Sequence, residues 1–149
     1  MIDGVIVTPL RQIHDERGKV MHMLREDSPA FQRFGEIYFS CVESGAVKAW
    51  HRHRKLTLNY AVVIGKIKFV LHDDRSDSPT RGETQEFILS PENYLLVTVP
   101  PHIWNGFKGV GDTMAIVANC ATHPHDPTEV ERLPPFDPSI AYDWNIRHR

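Results

Sequence analysis

Two closely spaced histidines are the residues of this chain with the clearest capacity for chemistry. His51 and His53 are separated by one residue inside a strand-like stretch, residues 45–65. Because side chains alternate between the two faces of a strand, both imidazoles are expected to project from the same face. A neutral imidazole can take up a proton near neutral pH or bind a divalent metal, so the pair fits either a proton-transferring site or a metal site.

The residues that accompany the two histidines favour proton transfer over metal binding. The stretch resembles the first motif of the cupins, a family of small β-barrels whose metal-binding members add a glutamate and a further histidine. At those two positions this chain has Leu58 and Asn105. Leucine cannot bind a cation, and a neutral amide is a weak substitute for imidazole. We therefore expect no metal and no cofactor; a metal-dependent cupin using His51, His53 and an unidentified ligand is an alternative.

The elements that must position the histidines are strands. Short runs rich in Val and Ile alternate with clusters of Gly, Pro, Asp and Ser, and no segment shows a sustained helical period. This pattern predicts an all-β fold, with a single helical turn at residues 27–34. The predicted strands are residues 4–8, 20–24, 36–42, 46–50, 56–64, 66–71, 86–89, 94–99 and 113–119.

The last part of the chain, from about residue 123 to residue 149, is predicted to be a proline-rich tail of a single domain spanning residues 1–149. Five prolines lie between residues 124 and 138, which is too many for a helix or a central strand. We expect this tail to lie extended over the surface, anchored by Ile140, Tyr142 and Trp144.

Composition and charge argue against several classes of protein. The chain has 17 Lys and Arg residues and 19 Asp and Glu residues, a net charge of −2. This balance argues against a nucleic-acid partner but leaves room for a local cationic pocket. No apolar run is long enough to cross a bilayer, so no membrane partner is expected. Without a secretory leader, and with Cys41 and Cys120 interpreted as buried thiols, the chain is expected to be cytoplasmic.

A series of short motifs runs in order along nearly the whole chain. The motifs are residues 8–10, 15–18, 25–27, 45–51, 73–75, 78–82, 100–107 and 140–144. In order and spacing they resemble the dTDP-4-dehydrorhamnose 3,5-epimerase family, the metal-free branch of the cupins that acts on nucleotide-linked 4-keto sugars. The resemblance implies a cupin-type jelly-roll barrel. It also implies that a base removes the proton beside the keto group and that a proton returns on the opposite face.

The resemblance gives roles to several residues of this chain. The family's base corresponds to His51, and two arginines that the family uses for substrate binding, one of them on the diphosphate, correspond to Lys48 and Arg17. Both positions are still cationic, although lysine lacks the forked guanidinium group. The family's proton-returning tyrosine falls at Ala118, and residues 113–122 contain no tyrosine.

Other residues are candidates for the groups that are missing. Tyr60 lies two residues after Leu58, hence on the same face of the strand, and is the first candidate for the proton-returning acid. The family's lysine near the keto oxygen corresponds to Leu58, so His53 could donate to that oxygen instead, with Asn105 donating from the opposite wall. Trp104 is a candidate to stack on a base or sugar.

We therefore predict an epimerase, an isomerase acting at C3 or at C3 and C5 of a nucleotide-diphosphate 4-keto-hexose in deoxysugar or surface-polysaccharide biosynthesis. A non-catalytic sugar-nucleotide-binding barrel and the metal-dependent cupin are the alternatives. A homodimer is expected, because the resembling family protects its edge strands by sharing strands between subunits. The N-terminal segment with Arg17 would then complete the partner's pocket.

Overall fold

The computed structural model describes residues 1–146, in which two five-stranded antiparallel sheets and a separate hairpin form and no helix occurs. The first sheet has the order β1-β9-β6-β11-β4 and the second the order β12-β5-β10-β7-β8, while β2 pairs with β3. The strands are β1 (Ile6–Pro9), β2 (Gln12–Asp15), β3 (Gly18–Met21), β4 (Glu36–Val42), β5 (Val47–His53), β6 (Leu58–Ile64), β7 (Ile67–His72), β8 (Thr84–Leu89), β9 (Leu95–Val99), β10 (Trp104–Gly109), β11 (Ala115–Ala121) and β12 (Val130–Arg132).

The predicted all-β class is confirmed, and three strands form where the sequence predicts none: β2, β10 and β12. β10 contains Gly106, which lowers strand propensity, but it is hydrogen-bonded to β5 on one side and β7 on the other. β12 is an edge strand, so the prolines that flank it cost the sheet no hydrogen bond. The helical turn expected at residues 27–34 is wrong; the chain there forms turns, as in the bond from the Phe31 amide to the Ser28 carbonyl.

The core lies between the two sheets and draws on both. Tyr60 of the first sheet contacts Phe69 and Phe107 of the second edge-to-face, with ring centroids 5.1 and 6.2 Å apart. Each large apolar side chain enclosed in this way stabilises the fold by about 1.5–3 kcal/mol. The fully buried members include Leu58, Ile67, Phe69, Leu71, Leu89, Val97 and Val117.

The C-terminal tail covers the outer face of the second sheet. Ile140 and Trp144 are buried there against Trp50, whose ring centroid lies 5.0 Å from that of Trp144. Tyr142 meets the Trp144 ring edge-on, and Lys108 Nζ donates to the Trp144 carbonyl at 2.9 Å. The three anchors expected from the sequence therefore hold the tail, and residues 147–149 of it lie outside the described residues.

Strand β4 is an edge strand with two unlike faces. Tyr38, Ser40 and Val42 point inward, while Ile37, Phe39 and Cys41 point outward and are exposed. The expectation that both cysteines are buried is therefore wrong for Cys41, although Cys120 is buried. Among the described residues, no helix is long and apolar enough to span a bilayer.

A bulge in β5 brings a lysine to the same side as the histidines. Residues three apart on a regular strand face opposite sides. Here Asn105 pairs with His51 but Phe107 pairs with Lys48. Three residues of β5 therefore span the same length as two residues of β10, which is a β-bulge. Both Lys48 and His51 consequently line one cavity. Gly106 lies against the bulge, where an added Cβ would fall 2.4 Å from the Cβ of Ala49.

Replacing Gly106 with alanine should therefore destabilise the protein by about 1–3 kcal/mol, because the new methyl group overfills the space beside the bulge. Gly111→Ala is the matched control, since its added Cβ would lie 3.4 Å from the nearest atom. Urea unfolding of both variants measures the effect. Equal stability of the two would show that the bulge does not depend on Gly106.

Candidate active site

A cavity of about 1210 Å³ lies between the two sheets, where the edges formed by β4 and β12 face one another. It exceeds the roughly 300–1,000 Å³ of most ligand pockets, so it can hold a ligand as large as a nucleotide sugar. Three pairs of polar side chains line it: the imidazoles of His51 and His53, the phenols of Tyr38 and Tyr60, and the cationic groups of Lys48 and Arg132.

His51 is held in its neutral form by its surroundings. Burial, followed by the nearby charges of His53 and Arg132, lowers the pKa of His51 to about 3. The ring is therefore unprotonated at neutral pH, with a nitrogen free to accept a proton. The strand that carries it is fixed by Asn105, whose Nδ2 donates to the His51 carbonyl at 3.1 Å.

His53 has a carboxylate partner supplied by the C-terminal tail. Its Nδ1 is hydrogen-bonded to Glu129 Oε1. The other carboxylate oxygen accepts the backbone N–H groups of Arg54, Lys55 and Leu56 at 3.1–3.3 Å. Burial alone would raise the pKa of Glu129, but the bonds from His53 and the backbone outweigh it and lower that pKa. An ionised Glu129 thus fixes the His53 ring and the turn that follows β5.

The facing wall of the cavity carries two tyrosines in different surroundings. Tyr60 is 2% exposed, and burial, followed by the charge and hydrogen bond of Tyr38, raises the pKa of Tyr60 well above its usual value. Tyr38 is only half-buried. Its hydroxyl oxygen accepts a hydrogen bond from Asn119 Nδ2 at 2.9 Å.

Ala118, to which the resemblance assigns the family's tyrosine, does not face the cavity. Ala118 pairs with Phe39 and Ala61, on the outward face of the first sheet. Its neighbour Asn119 points inward, between Tyr38 on β4 and Tyr60 on β6. The inward position of β11 is therefore occupied by an amide that has a tyrosine on each side.

The four residues predicted to bind substrate are not brought together. Lys48 lines the cavity and donates from Nζ to Ser40 Oγ at 3.2 Å, whereas Asn105 is buried behind His51. The Trp104 indole donates to Asp74 outside the cavity, at 2.9 Å. Arg17, with its side chain 90% exposed, lies on the β2–β3 turn in an ion pair with Asp15.

Three residues of the site were not found from the sequence: Tyr38 and Arg132, which line the cavity, and Glu129, which bonds His53. Arg132 pairs directly with His51 across β12 and β5, and its exposed side chain adds positive charge to the cavity wall. Polar Glu129 and Glu131 flank apolar Val130, an alternation that is typical of a strand and could have predicted β12. The five prolines around this short segment argued against a strand there.

The side chains around the cavity are poorly suited to binding a metal ion. Within residues 1–146, no three His, Cys, Asp or Glu side chains converge closely enough to hold an ion. His53 already uses one ring nitrogen on Glu129, and the unidentified third ligand of the metal-dependent alternative does not appear among these residues.

Comparison with known proteins supports a common family. The family model for dTDP-4-dehydrorhamnose 3,5-epimerase matches residues 1–149. The probable low-salt glycan biosynthesis epimerase Agl13 of Haloferax volcanii is 36% identical over 149 residues, covering 97% of this chain and 95% of the relative.

Solved structures share the fold. The crystal structure of a dTDP sugar isomerase from Desulfovibrio desulfuricans is 49% identical, with a TM-score of 0.93 over 96% of this chain and 92% of the other. The dTDP-6-deoxy-D-glucose-3,5-epimerase of Legionella pneumophila, in complex with dTDP-4-keto-L-rhamnose, is 25% identical, with a TM-score of 0.86 over 99% and 82%. The expected cupin-type jelly roll is thereby confirmed.

Replacing Glu129 with glutamine tests the buried pair. At pH 7 the variant should lose about 2–4 kcal/mol of unfolding free energy, because His53 and three backbone N–H groups lose their charged acceptor. Glu131→Gln is the control; Glu131 pairs with Arg52 and Arg54 near the surface and should contribute at most about 1 kcal/mol.

The pH dependence of the same variants gives a second check. The pKa of Glu129 is lowered in the folded state, so its contribution is present above the ordinary pKa of 4.5 and is lost as pH falls through the folded value. The stability difference between the wild-type protein and Glu129→Gln should therefore narrow in acid. A difference that stays constant from pH 7 to pH 3 would contradict an ionised Glu129.

Proposed function

The chain belongs to the dTDP-4-dehydrorhamnose 3,5-epimerase family, and on that premise we propose that it inverts C3, or C3 and C5, of a nucleotide-diphosphate 4-keto-hexose. The reaction would serve deoxysugar or surface-polysaccharide biosynthesis, in keeping with the glycan-biosynthesis name of the Haloferax relative. A dTDP-linked substrate is the first choice, because the Desulfovibrio protein is called a dTDP sugar isomerase.

One observation carries the proposal: imidazoles line one wall of the cavity and phenols line the other. His51 and His53 belong to β5 of the second sheet, while Tyr38 and Tyr60 belong to β4 and β6 of the first. Inversion of a carbon requires a proton to leave one face and another to arrive at the opposite face. A sugar ring held between these walls presents its two faces to a base and to an acid.

His51 is the proposed base. Its ring is neutral at pH 7 and free to accept the proton beside the keto group, since its pKa is lowered to about 3 in the cavity without substrate. The substrate brings a negatively charged diphosphate, and an enolate forms as the proton leaves. Both negative charges favour the imidazolium form of His51, which increases its basicity at the moment of transfer.

His53 is proposed to stabilise the oxygen of that enolate. Its Nδ1 is committed to Glu129, so a proton on Nε2 makes the ring a charged donor balanced by the carboxylate. Such a fixed donor, aimed where negative charge develops, lowers the barrier of an enolisation without a metal. Asn105 acts behind His51 by holding the backbone of β5.

The cationic groups of the cavity are proposed to bind the diphosphate. Lys48 and Arg132 both line it, and Arg132 offers a planar guanidinium suited to phosphate oxygens. Trp104 is left out of the proposed site, because its ring packs under Arg52, with the guanidinium carbon 4.4 Å from the ring centroid, and its indole bonds Asp74.

We also propose that the functional form is a homodimer in which Arg17 of one subunit reaches the substrate of the other. The outward face of edge strand β4 exposes Ile37 and Phe39, an apolar surface on an unpaired strand edge. The β2–β3 hairpin forms a sheet of its own that carries Arg17 away from its own cavity. A second copy would cover the apolar edge and receive the arginine.

Solvent exchange tests the assignment of the base. Wild-type protein incubated with dTDP-4-keto-6-deoxyglucose in deuterated buffer should lose the C3 proton signal, or the C3 and C5 signals, in NMR spectra. His51→Asn should slow this exchange by at least about 100-fold. His72→Asn, whose ring bonds Thr84 outside the cavity, should exchange at the wild-type rate.

The other outcomes separate the remaining hypotheses. Unchanged exchange in His51→Asn would show that a different group is the base. No exchange by the wild-type protein with several nucleotide sugars, together with tight binding of them, would favour the non-catalytic binding barrel.

A substitution at the β4 edge tests the dimer. Ile37→Lys should halve the mass measured by sedimentation equilibrium, because a charge placed in an apolar interface would have to be desolvated. Ile88→Lys is the matched control, since Ile88 is exposed to a similar extent, 47% against 51%, on the edge strand β8 of the other sheet. A wild-type protein that sediments as a monomer would refute the proposal.

A further inference from the structure

We propose that Tyr38, rather than Tyr60, returns the proton to the substrate on the face opposite the histidines. This inference rests on the proposed epimerase function and names a further catalytic residue for it. Tyr38 is on β4 and was not found from the sequence, since the resemblance places the family's tyrosine on β11. The structure brings its hydroxyl to the inward position of β11 through a hydrogen bond with Asn119.

Tyr38 is more accessible to water than Tyr60. Tyr38 lines the cavity and is half-buried, so water can reach it and restore its proton after each turnover. Tyr60 is 2% exposed, and its ring is enclosed by Phe69 and Phe107. Although the Tyr60 phenol borders the cavity and is hydrogen-bonded by Tyr38, its deep burial raises its pKa well above the usual value and strongly disfavours a phenolate there.

The Tyr38 hydroxyl accepts a hydrogen bond from the Asn119 side chain. The Asn59 backbone N–H donates to Asn119 Oδ1 at 3.0 Å, so the other end of the Asn119 amide, its NH₂ group, points toward Tyr38. The Tyr38 oxygen is therefore an acceptor in that bond, and its own proton remains available for the substrate. The same N–H donor stabilises the phenolate left after the proton has been given away.

The position of Asn119 is itself fixed by a buried chain of hydrogen bonds. Asn59 Nδ2 donates to the Cys120 carbonyl at 3.0 Å, and Asn59 Oδ1 accepts from Thr98 Oγ1 at 2.8 Å. Asn59, Thr98 and Asn119 are all buried. Three adjacent strands, β9, β6 and β11, thus hold the amide that orients the hydroxyl of Tyr38 on the fourth, β4.

The proposed inversion moves two protons, one to His51 and one from Tyr38. His51 takes the proton from the carbon beside the keto group, and the bonding pair moves to form the enolate, with negative charge on the keto oxygen. The enolate carbon then takes the Tyr38 proton on the opposite face, the carbonyl re-forms, and Tyr38 is left as a phenolate. Water in the cavity carries the proton of His51 away and returns one to Tyr38.

Removing the Tyr38 hydroxyl separates proton removal from inversion. In deuterated buffer, Tyr38→Phe should still exchange the substrate's proton through His51, because deuterium can return to the same face from the base. Formation of the epimerised product should fall by at least about 100-fold, the usual contribution of a general acid. NMR of dTDP-4-keto-6-deoxyglucose reports exchange and inversion in the same sample.

Tyr94 provides the control, and Tyr60 provides the test of the other phenol that lines the cavity. Tyr94→Phe, which removes a buried hydroxyl outside the cavity, should leave both rates unchanged. Tyr60→Phe should retain inversion within about tenfold of the wild-type rate, since it keeps the ring that fills the core.

The results that would overturn the assignment are distinct from those that would overturn the proposed function. Inversion by Tyr38→Phe within about threefold of the wild type, or loss of inversion with retained exchange in Tyr60→Phe, would reject Tyr38 as the acid. Loss of exchange together with inversion in a folded Tyr38→Phe would make Tyr38 a binding residue instead. Absence of exchange in the wild-type protein would reject the epimerase proposal and this inference together.

Discussion

The antiparallel pairing of β12 with β5 is the constraint on which the candidate site depends. It brings Glu129 from the tail into contact with His53 and with the backbone of the turn after β5. An ionised carboxylate enclosed in this way is stable only because both of its oxygens accept hydrogen bonds, which replace those it would make with water. The same pairing sets Arg132 opposite His51 and closes one side of the cavity. The C-terminal tail is therefore a wall of the site as well as a cover for the second sheet.

That constraint gives two histidines of one strand different electrostatic environments. Burial, followed by the charges of His53 and Arg132, lowers the pKa of His51 and keeps its ring neutral. His53 instead contacts the ionised carboxylate of Glu129. Two neighbouring imidazoles in such different surroundings are suited to the separate roles of base and electrophile. Both histidines face the same side because they lie two residues apart on β5. The C-terminal tail makes their surroundings differ, because its Glu129 contacts His53.

The two-sheet architecture supplies the other requirement of an inverting site, which is a group on each side of the reacting carbon. The histidines lie on the second sheet and the tyrosines on the first, so neither sheet alone would suffice. The bulge in β5 adds Lys48 to the histidine side, where a regular strand would turn it away. The buried amides of Asn59 and Asn119 extend from the middle of the first sheet to its edge and hold Tyr38 in place. The bulge in β5 thus positions Lys48 on the histidine wall, and the network of buried amides positions Tyr38 on the tyrosine wall.

The sequence by itself determined the all-β class, most of the strands and the shared face of His51 and His53, because the alternation of side chains along a strand is a local property. The resemblance assigned the family's tyrosine to Ala118, which faces outward, whereas the next residue, Asn119, faces inward, because adjacent residues of a strand point to opposite faces. Only the tertiary structure decided that Glu129 supports His53 and that Tyr38 meets Asn119. These partners are 76 and 81 residues apart in the chain. Contacts over such separations follow from strand order and register, which no local pattern in one sequence encodes.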